Sequence, residues 1–187
     1  MTWRTTALDR PSVMVTADPG WLLAPLAFRA LAGLPEDDPG ALIDGPVRAT
    51  APTGGAPVSP GPAIAAGFDA WWSTALEHDP RRAAPAIRTI VADTGLAEAW
   101  AAAGPAVQAW MAEHPARRLP HSAESAVLQD LRATGFRPGW RTVHLLVIPV
   151  HGDWYRVTAP GRVVLSPAVR AAPGWPDQLR DLARRET

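Results

Sequence analysis

The pattern of apolar and polar residues in 140–165 predicts a small antiparallel sheet. The segment holds one long apolar run, 140–150, and two shorter runs, 154–158 and 162–165, separated from one another by glycine-containing turns. Runs of β-branched and aromatic residues between such turns are typical of a three-stranded β-meander. The first run is apolar on both faces, which predicts a central strand that helices cover. A weakly alternating run at 12–16 predicts a short edge strand.

Helical spacing of apolar residues predicts four or five helices before this sheet and one helix after it. The predicted helices cover residues 21–34, 62–78, 84–93, 96–114 and 122–134, with the last helix following Trp175. Gly104-Pro105 is expected to break or kink the fourth of them, because proline lacks a backbone donor and clashes with the preceding turn. The fold class is therefore predicted as α+β: helices packed on a small three-stranded antiparallel sheet, with a C-terminal helix.

One stretch divides the chain, since residues 35–62 are rich in proline and glycine and show no apolar period. Such composition buries little, so we interpret the stretch as a linker or loop, and an ordered lid is the alternative. Residues 1–34 form an N-terminal segment with one helix. Residues 63–187 form the helical and β-meander core, which we expect to make one domain together with that helix.

Composition excludes several kinds of chemistry. The chain has no Cys, so disulfides, thiolate zinc sites and cysteine nucleophiles are excluded. All 18 basic residues are Arg, so no lysine is available for a Schiff base. Together with the 21 Pro and abundant Ala, this composition indicates a bacterium with a GC-rich genome. We expect a cytoplasmic protein, because no secretory signal is evident and the apolar stretch 21–29 is too short to cross a bilayer.

The net charge of zero argues against a protein built to coat nucleic acid. Acidic residues prevail in the first half of the chain and arginines in the second, and we expect the two halves to pack against each other. The predicted partners therefore include neither nucleic acid nor membrane.

Three residues near the first predicted turn are candidates for catalysis. His144, His151 and Asp153 include a titratable imidazole and a carboxylate that can orient it, the arrangement that a general base needs. The alternative is that His-Gly-Asp is turn chemistry, since Gly permits positive φ and Asp bonds its own backbone. The alternative has more weight, because active sites assemble from several segments and one segment is evident here.

We predict neither a metal nor a cofactor. His114 and His121 flank a short loop and could chelate, but no two histidines have the helical spacing of a metal site. The chain also lacks the glycine-rich loops that cradle phosphates and the Gly-x-Ser-x-Gly motif of serine hydrolases.

The aromatic residues suggest contact with a partner. The chain has nine Trp, and Trp71 and Trp72 are adjacent. Neighbouring helix positions point about 100° apart, so both rings cannot face one narrow seam. One ring is expected to pack while the other reaches a second layer, a pocket or a partner; the alternative is a tryptophan-rich core.

Two functions follow from these observations. The preferred hypothesis is a non-enzymatic accessory, adaptor or immunity-type protein that binds another protein through Trp71 and Trp72. The alternative is a small hydrolase or natural-product tailoring enzyme. Its pocket would be lined by Trp and would use His144 or His151 with Asp153 or Glu124.

Overall fold

The computed structural model describes residues 12–34, 61–93, 95–135 and 142–185. Most of the predicted linker at 35–62, and Trp140 at the start of the predicted meander, lie outside these ranges. The strands are β1 (Ser12–Ala17), β2 (Arg117–Arg118), β3 (Thr142–Val147), β4 (Tyr155–Ala159) and β5 (Arg162–Leu165). The helices are α1 (Gly20–Leu31), α2 (Pro62–Glu77), α3 (Pro80–Asp93), α4 (Leu96–Glu113), α5 (Ser122–Ala133), α6 (Pro167–Ala171) and α7 (Trp175–Arg185). The predicted α+β class is confirmed.

The sheet differs from the predicted antiparallel meander. Its strand order is β2-β1-β3-β5-β4, in which β1, β3 and β5 run parallel while β2 and β4 are antiparallel to their neighbours. The hairpin between β4 and β5 forms as predicted and closes at Gly161, whose φ is +69°. It then inserts β5 beside β3, because the apolar residues of β5 are buried on both faces while β4 is largely exposed.

The predictions for the other strands agree with the structure only in part. β3 is the middle strand of the sheet, as its two apolar faces predict. β1 exists, but it is not an edge strand: it pairs with β3 along its whole length and with β2 at Thr16 and Ala17. The short β2 gives no apolar signal, because both of its residues are exposed arginines.

Each face of the sheet carries its own hydrophobic core. Leu146 of β3 and Val164 of β5 face a core formed with α1, α2 and α4. Leu145 and Val163 face a second core, formed with α5, α6 and α7. This arrangement follows from the alternation of side chains along a strand, and it gives three layers with the sheet in the middle.

The helix ends refine the predicted boundaries. α3 begins at Pro80 rather than near residue 84, because Asp79 accepts hydrogen bonds from the backbone N–H groups of Arg81 and Arg82, at 2.9 and 3.2 Å. Pro80 occupies the first helical position, where a missing N–H costs nothing. The prediction at Pro105 is a break or a kink; Pro105 lies inside α4 without ending it, so a break does not occur. Gly135, with φ of +83°, follows the end of α5 in the left-handed conformation that commonly closes a helix.

Candidate functional site

The three predicted catalytic residues lie in two places, toward opposite ends of β3. His144 is half-buried near the start of β3, where Met14 and Arg162 are its cross-strand neighbours. Burial, followed by the positive charge of Arg162, lowers the pKa of His144 below its usual 6.5. His151 and Asp153 are exposed and follow the opposite end of that strand. His144 is about 10 Å along the strand from Val147, so the extended chain leads away from it toward the other two residues.

Trp71 and Trp72 are interior side chains. They are 3% and 7% exposed, and both belong to the first core. Trp71 packs against Trp100 and against Phe28, with ring centroids 5.1 and 5.6 Å away. In the described part of the chain neither indole is presented to solvent, so a surface for a partner has to be sought on other residues.

Large apolar side chains do reach the surface on β4. Tyr155 is 42% exposed and Val157 is 37% exposed. They lie opposite Leu165 and Val163 of β5, so they belong to the face of the second core. The helices bury Leu165 and Val163 of β5, but they leave Tyr155 and Val157 of the neighbouring β4 exposed. The helices of that face therefore stop one strand short of the sheet's edge.

The outer side of β4 is a sheet edge within the described residues, because β4 pairs with β5 alone. An edge strand presents backbone N–H and C=O groups that can pair with another chain. The register of β4 shifts between Val157 and Ala159, where a bulge interrupts its regular ladder. We refer to residues 155–157, before this bulge, as the β4 edge.

A cleft of about 480 Å³ opens at the carboxyl ends of β3 and β5, on the side of the second core. Ligands of open α/β sheets commonly bind outside the carboxyl ends of parallel strands. The residues around this strand-end cleft come from the loop before α5, from the end of β3, from the first turns of α5 and α7, from α6 and from the loop between α6 and α7. They are Leu119, Pro120, Ser122, Ala123, Glu124, Val147, Pro167, Arg170, Ala171, Ala172, Pro173, Trp175 and Pro176.

A buried ion pair forms one wall of the strand-end cleft. Arg170 Nε donates to Glu124 Oε1 at 2.8 Å, and the side chains of Arg170 and Glu124 are 20% and 4% exposed. Arg170 Nη2 also donates to the backbone carbonyl of Pro120. The sequence places Glu124 in the first turn of α5, but not beside Arg170, which lies 46 residues further along the chain.

A second group of charged or titratable side chains consists of Asp18, Arg117 and His114. Asp18 directly follows β1. Asp18 has a left-handed backbone, with φ of +54°, and is 8% exposed. Its N–H donates to the Val147 carbonyl at 2.9 Å, and its carboxylate lies 3.6 Å from Arg117 Nη2. Burial raises the pKa of Asp18, while Arg117 and His114 oppose that rise. Sequence reasoning missed this residue, although a carboxylate directly after a strand is a usable signal.

His114, which follows the last residue of α4, interacts electrostatically with this carboxylate. Its Nδ1 lies 2.9 Å from the backbone carbonyl of Trp110, an acceptor, which makes Nδ1 the protonated nitrogen of the neutral ring. Its ring also packs on the Trp110 indole, with centroids 4.4 Å apart.

Three further observations bear on function. Within the described ranges, His, Asp and Glu form no group of three that could hold a metal ion. The helices seen there are too short or too polar to cross a membrane. Comparison with protein-family models, with curated proteins and with solved structures gave no match.

Proposed function

We propose that the protein is a non-enzymatic accessory, adaptor or immunity-type protein that binds another protein at the β4 edge. The observation that carries the proposal is the exposure of Tyr155 and Val157 on an open edge strand. The partner would supply an extended segment that adds as a further strand to the sheet. Main-chain hydrogen bonds give affinity in this mode of recognition, and side chains at alternate positions give specificity.

The chemistry of the partner segment follows from the β4 edge. Tyr155 and Val157 face the same way, so the segment should carry apolar or aromatic residues at alternate positions facing them. The bulge after Val157 limits regular pairing to a short stretch. The affinity must then come largely from apolar contact with these two side chains, and tyrosine is well suited to it because it is large and loses little rotamer freedom.

Co-purification from the native host with paired variants tests the proposal. Tyr155→Lys/Val157→Lys places two charges on the β4 edge, and Gln178→Lys places a charge on an exposed position of α7 as a control. We expect a stoichiometric partner with wild type and with Gln178→Lys, and its loss with the double variant. Hydrogen exchange of the complex should show protection of the amides in 155–157.

Two results would overturn this proposal. One is a partner that the double variant retains in full while it remains folded by circular dichroism. The other is the absence of any stoichiometric companion in repeated native purifications, with unchanged exchange in 155–157. A second copy of the chain as the sole companion would replace the adaptor role with self-association.

A small hydrolase or natural-product tailoring enzyme is the second candidate. It is supported by the strand-end cleft, which Trp175 and Glu124 line, and by the neighbouring Asp18 and His114. A screen for ester hydrolysis tests it, with His114→Gln as the variant and the exposed His121→Gln as the control. Turnover that is lost only in His114→Gln supports the enzyme, and turnover equal in both variants counts against this site.

A further inference from the structure

We propose that the strand-end cleft is a binding site for a small apolar monocarboxylate, such as an arylacetate or a branched-chain acid. This inference goes beyond the binding of a protein partner and does not depend on the β4 edge, which lies on a different strand. It rests on three properties of the cleft: its size, its mainly apolar wall and the one guanidinium fixed in that wall.

The size and the wall select a small organic molecule. At about 480 Å³ the cleft lies within the usual range for small-molecule sites, which are mostly apolar with a few placed polar groups. Val147, Leu119 and the Trp175 ring supply apolar surface, and several prolines and alanines complete the wall. Prolines lack a backbone N–H, so these parts of the wall present apolar surface without a backbone donor.

The fixed guanidinium selects a carboxylate. Arg170 is held by Glu124 through Nε and by the Pro120 carbonyl through Nη2, and a guanidinium has further N–H donors in the same plane. These donors belong to a side chain that lines the cleft. Because Glu124 and Pro120 fix the guanidinium in advance, a ligand carboxylate would not have to order a mobile side chain.

The charge balance limits the ligand to one negative charge. Glu124 and Arg170 are the ionisable residues of the cleft wall, and their formal charges cancel. The first turns of α5 and α7 also line the cleft, and the N-terminal end of a helix adds a modest positive potential. The remaining donors of Arg170 and this modest potential can accommodate a monoanion, whereas a phosphate dianion would lose its hydration with no second cation to compensate its second charge.

The test uses the full chain and two probes of nearly equal size. Phenylacetate carries the carboxylate, and phenylacetamide is its neutral counterpart. We expect phenylacetate to bind with one-to-one stoichiometry in calorimetry, about tenfold or more tighter than phenylacetamide, because hydrogen bonds to charged groups are the stronger ones. Trp175 lines the cleft, and its buried indole N–H has no hydrogen-bond partner within the described residues, so its resonance should report binding by shifting on titration.

Variants of the cleft wall test whether the two probes bind in the cleft. Glu124→Gln/Arg170→Gln replaces the ion pair by a neutral polar pair, so neither charge is left buried alone, and it should remove the preference for phenylacetate. Ala171→Trp adds bulk to the cleft wall while both members of that pair are kept, and it should weaken both probes about tenfold or more. Arg180→Gln is the control, since Arg180 pairs with Asp177 and Asp130 outside the cleft wall.

Three results would contradict the proposal. No saturable binding of phenylacetate, or phenylacetamide binding as tightly as phenylacetate, overturns the carboxylate site. Unchanged binding in Ala171→Trp places the ligand elsewhere, and this variant decides the matter if the double variant fails to fold. Phenylacetate binding should be unaffected by Tyr155→Lys/Val157→Lys, so failure of the cleft proposal and failure of the β4 edge proposal are distinguishable.

Discussion

The indole of Trp71 lies edge to face against the indole of Trp100, with ring centroids 5.1 Å apart and ring planes at 87°. Phe28 completes this group, at 5.6 Å from Trp71 and 6.0 Å from Trp100. The three rings come from α2, α4 and α1, so one aromatic cluster connects three helices that are distant in sequence. Tilted and edge-to-face pairs of this kind stabilise a fold beyond the area they bury.

Trp71→Ala should lower the free energy of unfolding by about 3–5 kcal/mol, the usual cost of deleting a large buried aromatic side chain. Trp71→Phe should cost less, because it keeps an aromatic ring in the same space. Urea denaturation followed by circular dichroism measures both. Tyr155→Ala is the exposed control and should change stability by less than about 0.5 kcal/mol. Equal destabilisation by Trp71→Ala and Tyr155→Ala would contradict the role of the cluster.

The burial of both Trp71 and Trp72 shows where sequence reasoning stops. Helical spacing predicts the helix at 62–78, and the structure buries Phe68, Trp71, Trp72, Ala75 and Leu76 on it. The spacing does not show that α2 contacts α1, α3, α4 and β4, which cover it on several sides. Two adjacent rings that point about 100° apart can both be interior in such a helix. How many elements pack against a helix depends on the tertiary fold, and the apolar spacing within that helix does not reveal it.

The same limit applies to strand pairing and to the strand-end cleft. The apolar faces of β3 predict its central position, and the glycine turn predicts the hairpin of β4 and β5. Whether β4 or β5 pairs with β3 depends on which of them the helices cover, and this is not a local property. Glu124 and Arg170 likewise meet only because α5 and α6 lie at the same end of the sheet, so the spacing of the residues carries no sign of the pair.

Removing either member of the Glu124–Arg170 pair should have unequal effects. Arg170→Ala leaves a carboxylate that is 4% exposed without its cation, and we expect a loss of about 3 kcal/mol in the free energy of unfolding. Glu124→Ala should cost less, since the guanidinium is 20% exposed and can turn toward water. Thermal and urea unfolding of the two variants at pH 7 measures the difference. A larger loss in Glu124→Ala would contradict this assignment.

Asp18→Asn should stabilise the protein at neutral pH. The pKa of Asp18 is raised above 3.8, so between 3.8 and its folded value the folded state binds more protons than the unfolded state. The contribution of Asp18 to stability therefore falls as pH rises through that window and stays low above it. Asn carries no charge and tolerates a positive φ, so it removes this loss.

The measurement is the difference in stability between Asp18→Asn and wild type from pH 3 to pH 7. That difference should grow with pH. Asp79→Asn is the control of opposite sign, because backbone hydrogen bonds from Arg82 and Arg81 lower the pKa of Asp79. Its substitution should cost more at neutral pH than in acid. A difference for Asp18→Asn that shrinks as pH rises would contradict the assigned cause.

His144 should make the protein less stable in mild acid. Its pKa is lowered from 6.5, chiefly by burial and then by Arg162, so as pH falls below 6.5 the unfolded state takes up a proton before the folded state does. The contribution of His144 is therefore fully present above pH 6.5 and is lost as pH falls toward the folded pKa. His144→Gln keeps a polar side chain that does not titrate, and it should flatten the pH dependence of the unfolding midpoint in this range. Arg162→Gln should reduce the dependence only in part, because burial is the larger cause, and an unchanged slope in His144→Gln would assign the acid sensitivity to another group.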